Sequence, residues 1–296
     1  MPWLQAHLEV EKSQAPLIEL LFEQLGAISI TLADAEDEPM LEPPPGAMPL
    51  WSHTRVTALF ENSTDADDLR ARIDRTLSRD NSQKLRLEIL EDQAWERTWL
   101  EHFRPMQFEQ RLWICPTGKQ VTAPDATVIH LDPGLAFGTG THPTTDLCLQ
   151  WLDGASLKGR TVIDFGCGSG SGSGILAIAA LKLGAARAIA MDHDPQALIA
   201  THNNAVQNAV SECLETCTPE DFHPEAADVV LANILANVLT ALEDSISPLV
   251  RPGGQLILSG ILEDQAQAVM QAYEPGISFL PPARLGEWVR LDGTRT

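Results

Sequence analysis

The chain is short of positive charge. Its 20 Lys and Arg stand against 41 Asp and Glu, a formal charge of -21 at pH 7. A protein that reads phosphates needs a basic face, so direct nucleic-acid binding is disfavoured. Acidity of this kind suits either plain solubility or a basic protein partner. No run approaches the ~18 to 20 apolar residues of a membrane span, and the N-terminus lacks a basic stretch followed by an apolar one. The expectation is a cytosolic protein with no membrane contact. Cysteine is also scarce: five residues (115, 148, 167, 213 and 217), an odd number, with no CxxC pair and no clustered histidines. Cys213 and Cys217 are read as reduced thiols at a strand edge rather than as ligands, and no metal is expected. Finally, Gly138-Thr-Gly-Thr-His142 is not followed by the Gly-Lys-Ser/Thr of a phosphate loop, which disfavours nucleotide hydrolysis.

What is present fits an ordinary globular chain of two domains: 296 residues, 44% hydrophobic and 21% charged. Near the N-terminus, Trp3 to Val10 alternates as a strand, and Ala15 to Leu25 carries apolar residues at helical spacing before Gly26. Ser29 to Leu32 reads as a second strand, followed by an acidic, proline-rich loop from Asp34 to Pro49. Val56 to Phe60 resumes as a strand. Asp65 to Leu77 reads as a helix behind a Ser63-Thr64 cap, and Leu85 to Leu90 as a last strand. The order βαββαβ is that of a ferredoxin-like α+β domain, placed at 1–93. A linker helix is expected over 94–110, with Trp95 and Trp99 on one face.

The remainder, 111–296, alternates strand and helix. Strands are expected at 128–131, 161–165, 187–192, 212–217, 228–232, 255–259, 277–280 and 288–291. Helices are expected near 144–152, 175–183, 195–208, 235–246 and 262–273. Such alternation implies a parallel sheet covered on both faces, with ligands beyond the carboxyl ends of the strands. Asp164, Asp192 and Asn233 all belong at that end.

The segment that carries chemistry is Thr161-Val-Ile-Asp-Phe-Gly-Cys-Gly-Ser-Gly-Ser-Gly-Ser-Gly174, an apolar run ending in an acid and then a ladder of glycines. Glycine lets the turn take φ > 0 and brings backbone against a ligand. The apolar helix that follows turns its free N–H groups to the same crevice. A second run, Ala188 to Met191, ends at Asp192, where an acid commonly holds a ribose hydroxyl. The GxGxG register at Gly166, Gly168 and Gly170, behind Asp164, favours S-adenosylmethionine over a dinucleotide. A competing GxGxxA register starts at Gly172, further from the strand end.

Two further segments sharpen the reading: Asp132-Pro-Gly-Leu-Ala-Phe-Gly-Thr-Gly-Thr-His-Pro-Thr-Thr145, and Asn233-Ile-Leu-Ala-Asn-Val-Leu239 behind the strand at Asp228 to Ala232. With Met-Pro-Trp3, Trp95-Glu-Arg-Thr-Trp99, Arg111-Leu-Trp-Ile-Cys-Pro116 and Leu258-Ser-Gly-Ile-Leu262, they make the chain closely resemble the bacterial ribosomal protein L11 methyltransferases from end to end. The resemblance implies a class I methyltransferase domain, Rossmann-like with a seven-stranded sheet, behind a domain that captures the ribosomal protein. It implies S-adenosylmethionine as cofactor and lysine side chains and an α-amine of the L11 protein as methyl acceptors. Gly166 and its loop, with Gly168 and Asp164, would line the cofactor's methionine part. Asp192 would take the ribose hydroxyls, and Thr145 would contact the cofactor. Asn233 is the candidate for the reaction centre, because its side chain and nearby backbone carbonyls can accept hydrogen bonds from an amine; a helix-capping role is its alternative. For His142 a structural role is favoured over that of a base. A monomer is expected.

One departure stands out. Family members read GCGSGILAI where this chain reads GCGSGSGSGILAI, as though Gly-Ser-Gly-Ser had been added within the loop. Folding should survive, since loop entropy grows slowly with length. Cofactor affinity is expected to weaken, because more chain must be ordered around the ligand. Two other functions remain open at this point: a homologue that only docks the ribosomal protein, and an NAD-dependent oxidoreductase using the Gly172 register.

Overall fold

The computed structural model describes residues 3–36, 50–61, 63–77, 79–90, 104–131, 142–168, 173–223 and 225–296. Contacts divide the chain into two compact units, Met1–Trp95 and Glu96–Thr296.

The first unit runs β1 (Trp3–Glu11), α1 (Ala15–Gln24), β2 (Ser29–Asp34), β3 (His53–Glu61), α2 (Ala66–Asp74), α3 (Arg79–Lys84) and β4 (Arg86–Leu90). Its antiparallel sheet has the order β2-β3-β1-β4, which is the ferredoxin-like arrangement. Strict alternation makes this sheet one-sided: Leu4, Ala6, Leu8 and Val10 of β1 are buried with Val56, Ala58 and Phe60 of β3 beneath α1 and α2. The cap of α2 differs from the expectation. Asp65, not Ser63-Thr64, accepts the N–H groups of Asp67 and Asp68, because it is the residue that directly precedes the first helical turn. The acidic loop lies outside the described residues from 37 to 49.

The second unit opens with a small sheet, β5 (Met106–Phe108), β6 (Leu112–Cys115) and β7 (Thr127–His130). The expected linker helix over 94–110 lies outside the described residues as far as 103. Its remainder forms β5 and the turn into β6 rather than helix, because Met106 to Phe108 pairs with Leu112 to Ile114. There follow α4 (Pro143–Gly154), β8 (Thr161–Phe165), α5 (Ile175–Lys182), β9 (Arg187–Met191), α6 (Pro195–Gln207), β10 (Leu214–Cys217) and β11 (Ala227–Asn233). The chain ends with α7 (Ala236–Ala241), α8 (Glu243–Ile246), β12 (Val250–Leu262), α9 (Ala266–Tyr273), β13 (Ile277–Phe279), β14 (Ala283–Leu285) and β15 (Trp288–Arg295). One helix expected over 235–246 is therefore two short ones, broken at Leu242.

The large sheet has the order β10-β9-β8-β11-β12-β15-β13, with β14 pairing off this path against β15. It is mixed rather than wholly parallel. β15 is antiparallel to β12 and β13, since the last two strands are joined by short connections instead of a helical crossover. Successive residues of β11 feed opposite cores: Val229 and Leu231 pack with α4 and α5, Val230 and Ala232 with α7 and α9. Burial on both faces explains the near-continuous apolar runs in β8 and β11. Between β10 and β11 the described residues form no helix, so Phe222 of this connection supplies the apolar cover and sets its ring edge-on to Phe165 at 6.1 Å.

Candidate functional site

The carboxyl ends of β8, β9 and β11 carry the residues singled out from sequence. β8 ends at Phe165, and Gly166 follows with φ +80°, a turn that an L side chain resists. The N–H groups of Gly166 and Cys167 both donate to the Met191 carbonyl, tying the start of the glycine loop to the end of β9. Gly168 then donates its N–H to Asp192 Oδ2 at 2.7 Å, while Asp194 N–H donates to Asp192 Oδ1 at 2.9 Å. A Cβ on Gly168 would lie 2.2 Å from the Ala197 methyl and 3.0 Å from Asp192 Oδ2, so only glycine fits there. Residues 169–172, most of the enlarged loop, lie outside the described residues. At its far end Gly174 is left-handed (φ +66°) and packs on Thr201, and its N–H donates to the Cys167 carbonyl at 3.2 Å.

Asp164 lies behind this loop. It is fully enclosed and accepts the Ala177 N–H at 3.1 Å, which pins the first turn of α5. Among the described residues it has no cationic partner, and burial pushes its pKa up to about 7, with the nearby Asp192 adding to the rise. The same burial raises the pKa of the Cys167 thiol, with the nearby Asp164 adding to the rise.

The second constellation joins α4 to β11. Asn233 is the last residue of β11, 3% exposed, and its side-chain N–H donates to Thr145 Oγ1 at 3.3 Å. Thr145 is fully buried in the first turn of α4. Asn233 does not cap a helix: the residue preceding α7 is Leu235, and the Asn233 side chain points to Thr145 instead. His142 does cap one. Its ring accepts the Thr144 N–H and meets Trp288 edge-on at 5.0 Å, and burial lowers its pKa. The rest of the Asp132–Thr145 segment, up to 141, lies outside the described residues.

Gly166 and Asp192 line one cavity of about 630 Å³, together with Phe165, Met191, His193, Pro219, Phe222, Ile234, Leu235, Val238, Leu242, Ser245 and Leu249. That size suits a nucleoside-containing ligand. One end offers a carboxylate and glycine backbone, and the other is almost wholly apolar. The donor set therefore fits a nucleoside whose ribose meets an acid and whose base meets hydrophobic walls. Phe222 and the α7–α8 residues escaped the sequence reading. The connection carrying Phe222 has no periodicity, Val238 and Leu242 fall within the helix expected over 235–246, and Leu249 lies beyond it. Among the described residues no cluster of His, Cys, Asp and Glu could hold a metal ion, and Cys213 and Cys217 are free thiols.

Comparison with known proteins agrees with this architecture. The family model described as ribosomal protein L11 methyltransferase (PrmA) matches residues 2–296. The chain is 51% identical over 296 residues to the ribosomal protein L11 methyltransferase of Azotobacter vinelandii, covering all of both chains. It is 48% identical over 295 residues to that of Nitrosococcus oceani, again covering all of both. The crystal structure of ribosomal protein L11 methylase from Lactobacillus delbrueckii superposes with a TM-score of 0.59 at 34% identity, over 66% of this chain and all of that one.

Proposed function

The chain belongs to the ribosomal protein L11 methyltransferase family, and from that premise we propose how its residues carry out methylation of ribosomal protein L11. It is an S-adenosylmethionine-dependent protein methyltransferase, and neither the oxidoreductase nor the docking-only alternative is favoured by its relatives. The acceptors are amines, lysine side chains and the N-terminal α-amine, presented by the ferredoxin-like unit to the α/β unit. The protein acts in the cytoplasm. Among the described residues no helix is long and apolar enough to cross a membrane.

S-adenosylmethionine supplies an electrophilic methyl on a sulfonium, already a good leaving group, so the protein's task is to hold an uncharged amine in line with it and exclude water. Gly166 and Gly168 shape the backbone wall against which the cofactor lies, with Asp164 fixing the helix start behind them. Asp192 accepts from the ribose hydroxyls while it anchors the Gly168 N–H. Phe222, Leu242 and Leu249 enclose the base. Thr145 borders the cofactor's methyl end and, by accepting the Asn233 side-chain N–H, leaves the Asn233 carbonyl oxygen to take a hydrogen bond from the amine. The Ile234 carbonyl is the second acceptor. Two acceptors suffice to orient the amine lone pair, and no strong base is required.

The observation that carries this reading is the joining of Gly166 and Asp192 in one nucleoside-sized cavity that continues past Ile234, the residue after Asn233. Calorimetric titration of S-adenosylhomocysteine tests it, followed by methyl transfer to purified L11 protein. Micromolar binding with L11-dependent methylation is expected. A folded protein that bound L11 without binding the cofactor product would replace the reading with docking alone.

A further inference from the structure

Beside the Asn233 end of β11 lies β12, a strand to which none of the site residues belongs. In β12, Ser259 lies directly opposite Asn233 in the parallel register. Its side chain is fully buried, and its hydroxyl donates to the Thr144 carbonyl at 3.0 Å, in the helical turn that carries Thr145. The next residue, Gly260, has φ +82° and lies where the pairing of β12 with β15 slips its register between Leu258 and Ile261. A Cβ there would lie 2.3 Å from the Ile234 carbonyl oxygen, 2.8 Å from its carbonyl carbon and 3.1 Å from its nitrogen. These atoms are backbone and cannot swing aside as a side-chain tip can. The bulge and the glycine together make the space in which the Ile234 peptide lies.

We propose that Ser259 and Gly260 are positioning residues for methyl transfer: Ser259 holds the α4 turn that sets Thr145 against Asn233, and Gly260 fixes where the Ile234 carbonyl stands. Neither touches the amine. Both act through the two acceptors, so one dipeptide of β12 holds the Asn233 amide and the Ile234 carbonyl in a single geometry. The inference rests on the reading of Asn233 and Ile234 as the amine's acceptors. Its physical basis is that small displacements of orienting groups cost rate rather than affinity.

The test measures kcat and KM for L11 protein, the Kd of S-adenosylhomocysteine and the melting temperature, for the wild type and four full-length variants. Ser259→Ala removes the hydroxyl with little change of volume and should lower kcat by about tenfold, with the Kd of S-adenosylhomocysteine and the KM for L11 within about twofold. Gly260→Ala should lower kcat further. Gly253→Ala is its control, since Gly253 also lies in β12 with φ +72° but has open space around its would-be Cβ. It reports the cost of left-handed backbone alone and should keep wild-type kcat. If Gly260→Ala fails to fold, Ser259→Ala still decides. Unchanged kcat in Ser259→Ala, or a loss of cofactor-product affinity as large as the loss of kcat, overturns the proposal. Asn233→Ala separates this from its premise: wild-type turnover in Asn233→Ala sinks the acceptor reading itself, whereas a slow Asn233→Ala beside a fast Ser259→Ala sinks only the positioning role.

Discussion

At the scale of single residues, two buried acids at the ends of adjacent strands divide the labour by their partners. Asp192 is 1% exposed, yet both its oxygens accept backbone N–H groups. Removing it leaves those donors unmatched and, in the role proposed for it, takes away the ribose acceptor. Asp192→Ala is therefore expected to weaken S-adenosylhomocysteine by about tenfold or more in calorimetry, in line with ~1.5 to 3 kcal/mol for a hydrogen bond to a charged group. Among the described residues Asp164 has one backbone donor, and burial raises its pKa to about 7. Between the unfolded value near 4 and the folded value, the native state keeps a proton that the unfolded chain has lost, so the stability contributed by this group falls as pH rises across that window. Asp164→Asn keeps an acceptor for Ala177 without the ionisation. Urea unfolding at pH 5 and pH 8 should show a smaller loss of stability with rising pH in the variant than in the wild type. Equal losses would mean that Asp164 ionises in the folded protein as it does in water.

At the scale of elements, the glycine loop is closed by the bond from Gly174 N–H to the Cys167 carbonyl and fixed by the Gly168 contact to Asp192. Both ends are therefore anchored whatever the length between them. Closure entropy changes by only ~0.6 kcal/mol per doubling of length, so removing four residues should hardly alter stability. Cofactor affinity is another matter, because every extra glycine or serine must be ordered around the ligand. Deleting residues 171–174 lets Gly170 take the place of Gly174 at the start of α5. The shortened protein should bind S-adenosylhomocysteine more tightly at an unchanged melting temperature, and an unaltered Kd would show that the added residues stay clear of the cofactor. Elements were legible in the sequence where their periodicity was uninterrupted. β8, α5 and β9 lie within a residue of their expected limits, since continuous apolar runs bounded by Gly or a charge admit few readings. The three residues of β5 and of β14 were not legible. Neither shows an apolar run in sequence, and only their pairing with β6 and β15 defines them.

At the scale of the whole molecule, the charge of -21 governs encounter more than fold. A basic protein substrate would be drawn to such a surface over a distance set by the salt concentration, with a Debye length of ~10 Å at 0.1 M and less above it. The KM for L11 protein is expected to rise several-fold between about 0.05 and 0.3 M salt, largely through slower association. The Kd of S-adenosylhomocysteine, a small ligand held by short-range contacts, should shift much less over the same range. Equal salt dependence of the two would assign the acidity to solubility alone.

The amino-acid sequence by itself determined the two-part organisation, the ferredoxin-like order of the first unit, and the places of Asp164, Gly166, Gly168 and Asp192 around a strand–turn–helix. The last of these are local consequences of glycine's freedom and of an acid at a strand end, contained within some thirty consecutive residues, and the order of the first unit follows from apolar periodicity read element by element. Only the tertiary structure decided that the Asn233 amide bonds Thr145, 88 residues away in sequence, that Ser259 bonds the Thr144 carbonyl, and that Gly260 lies against the Ile234 peptide. It also decided that Phe222 lines the cavity, in a connection between β10 and β11 whose described residues form no helix. Such contacts depend on which strands lie side by side, and neighbours in a mixed sheet are chosen by the packing of two cores at once, a global balance that no local stretch of chain records.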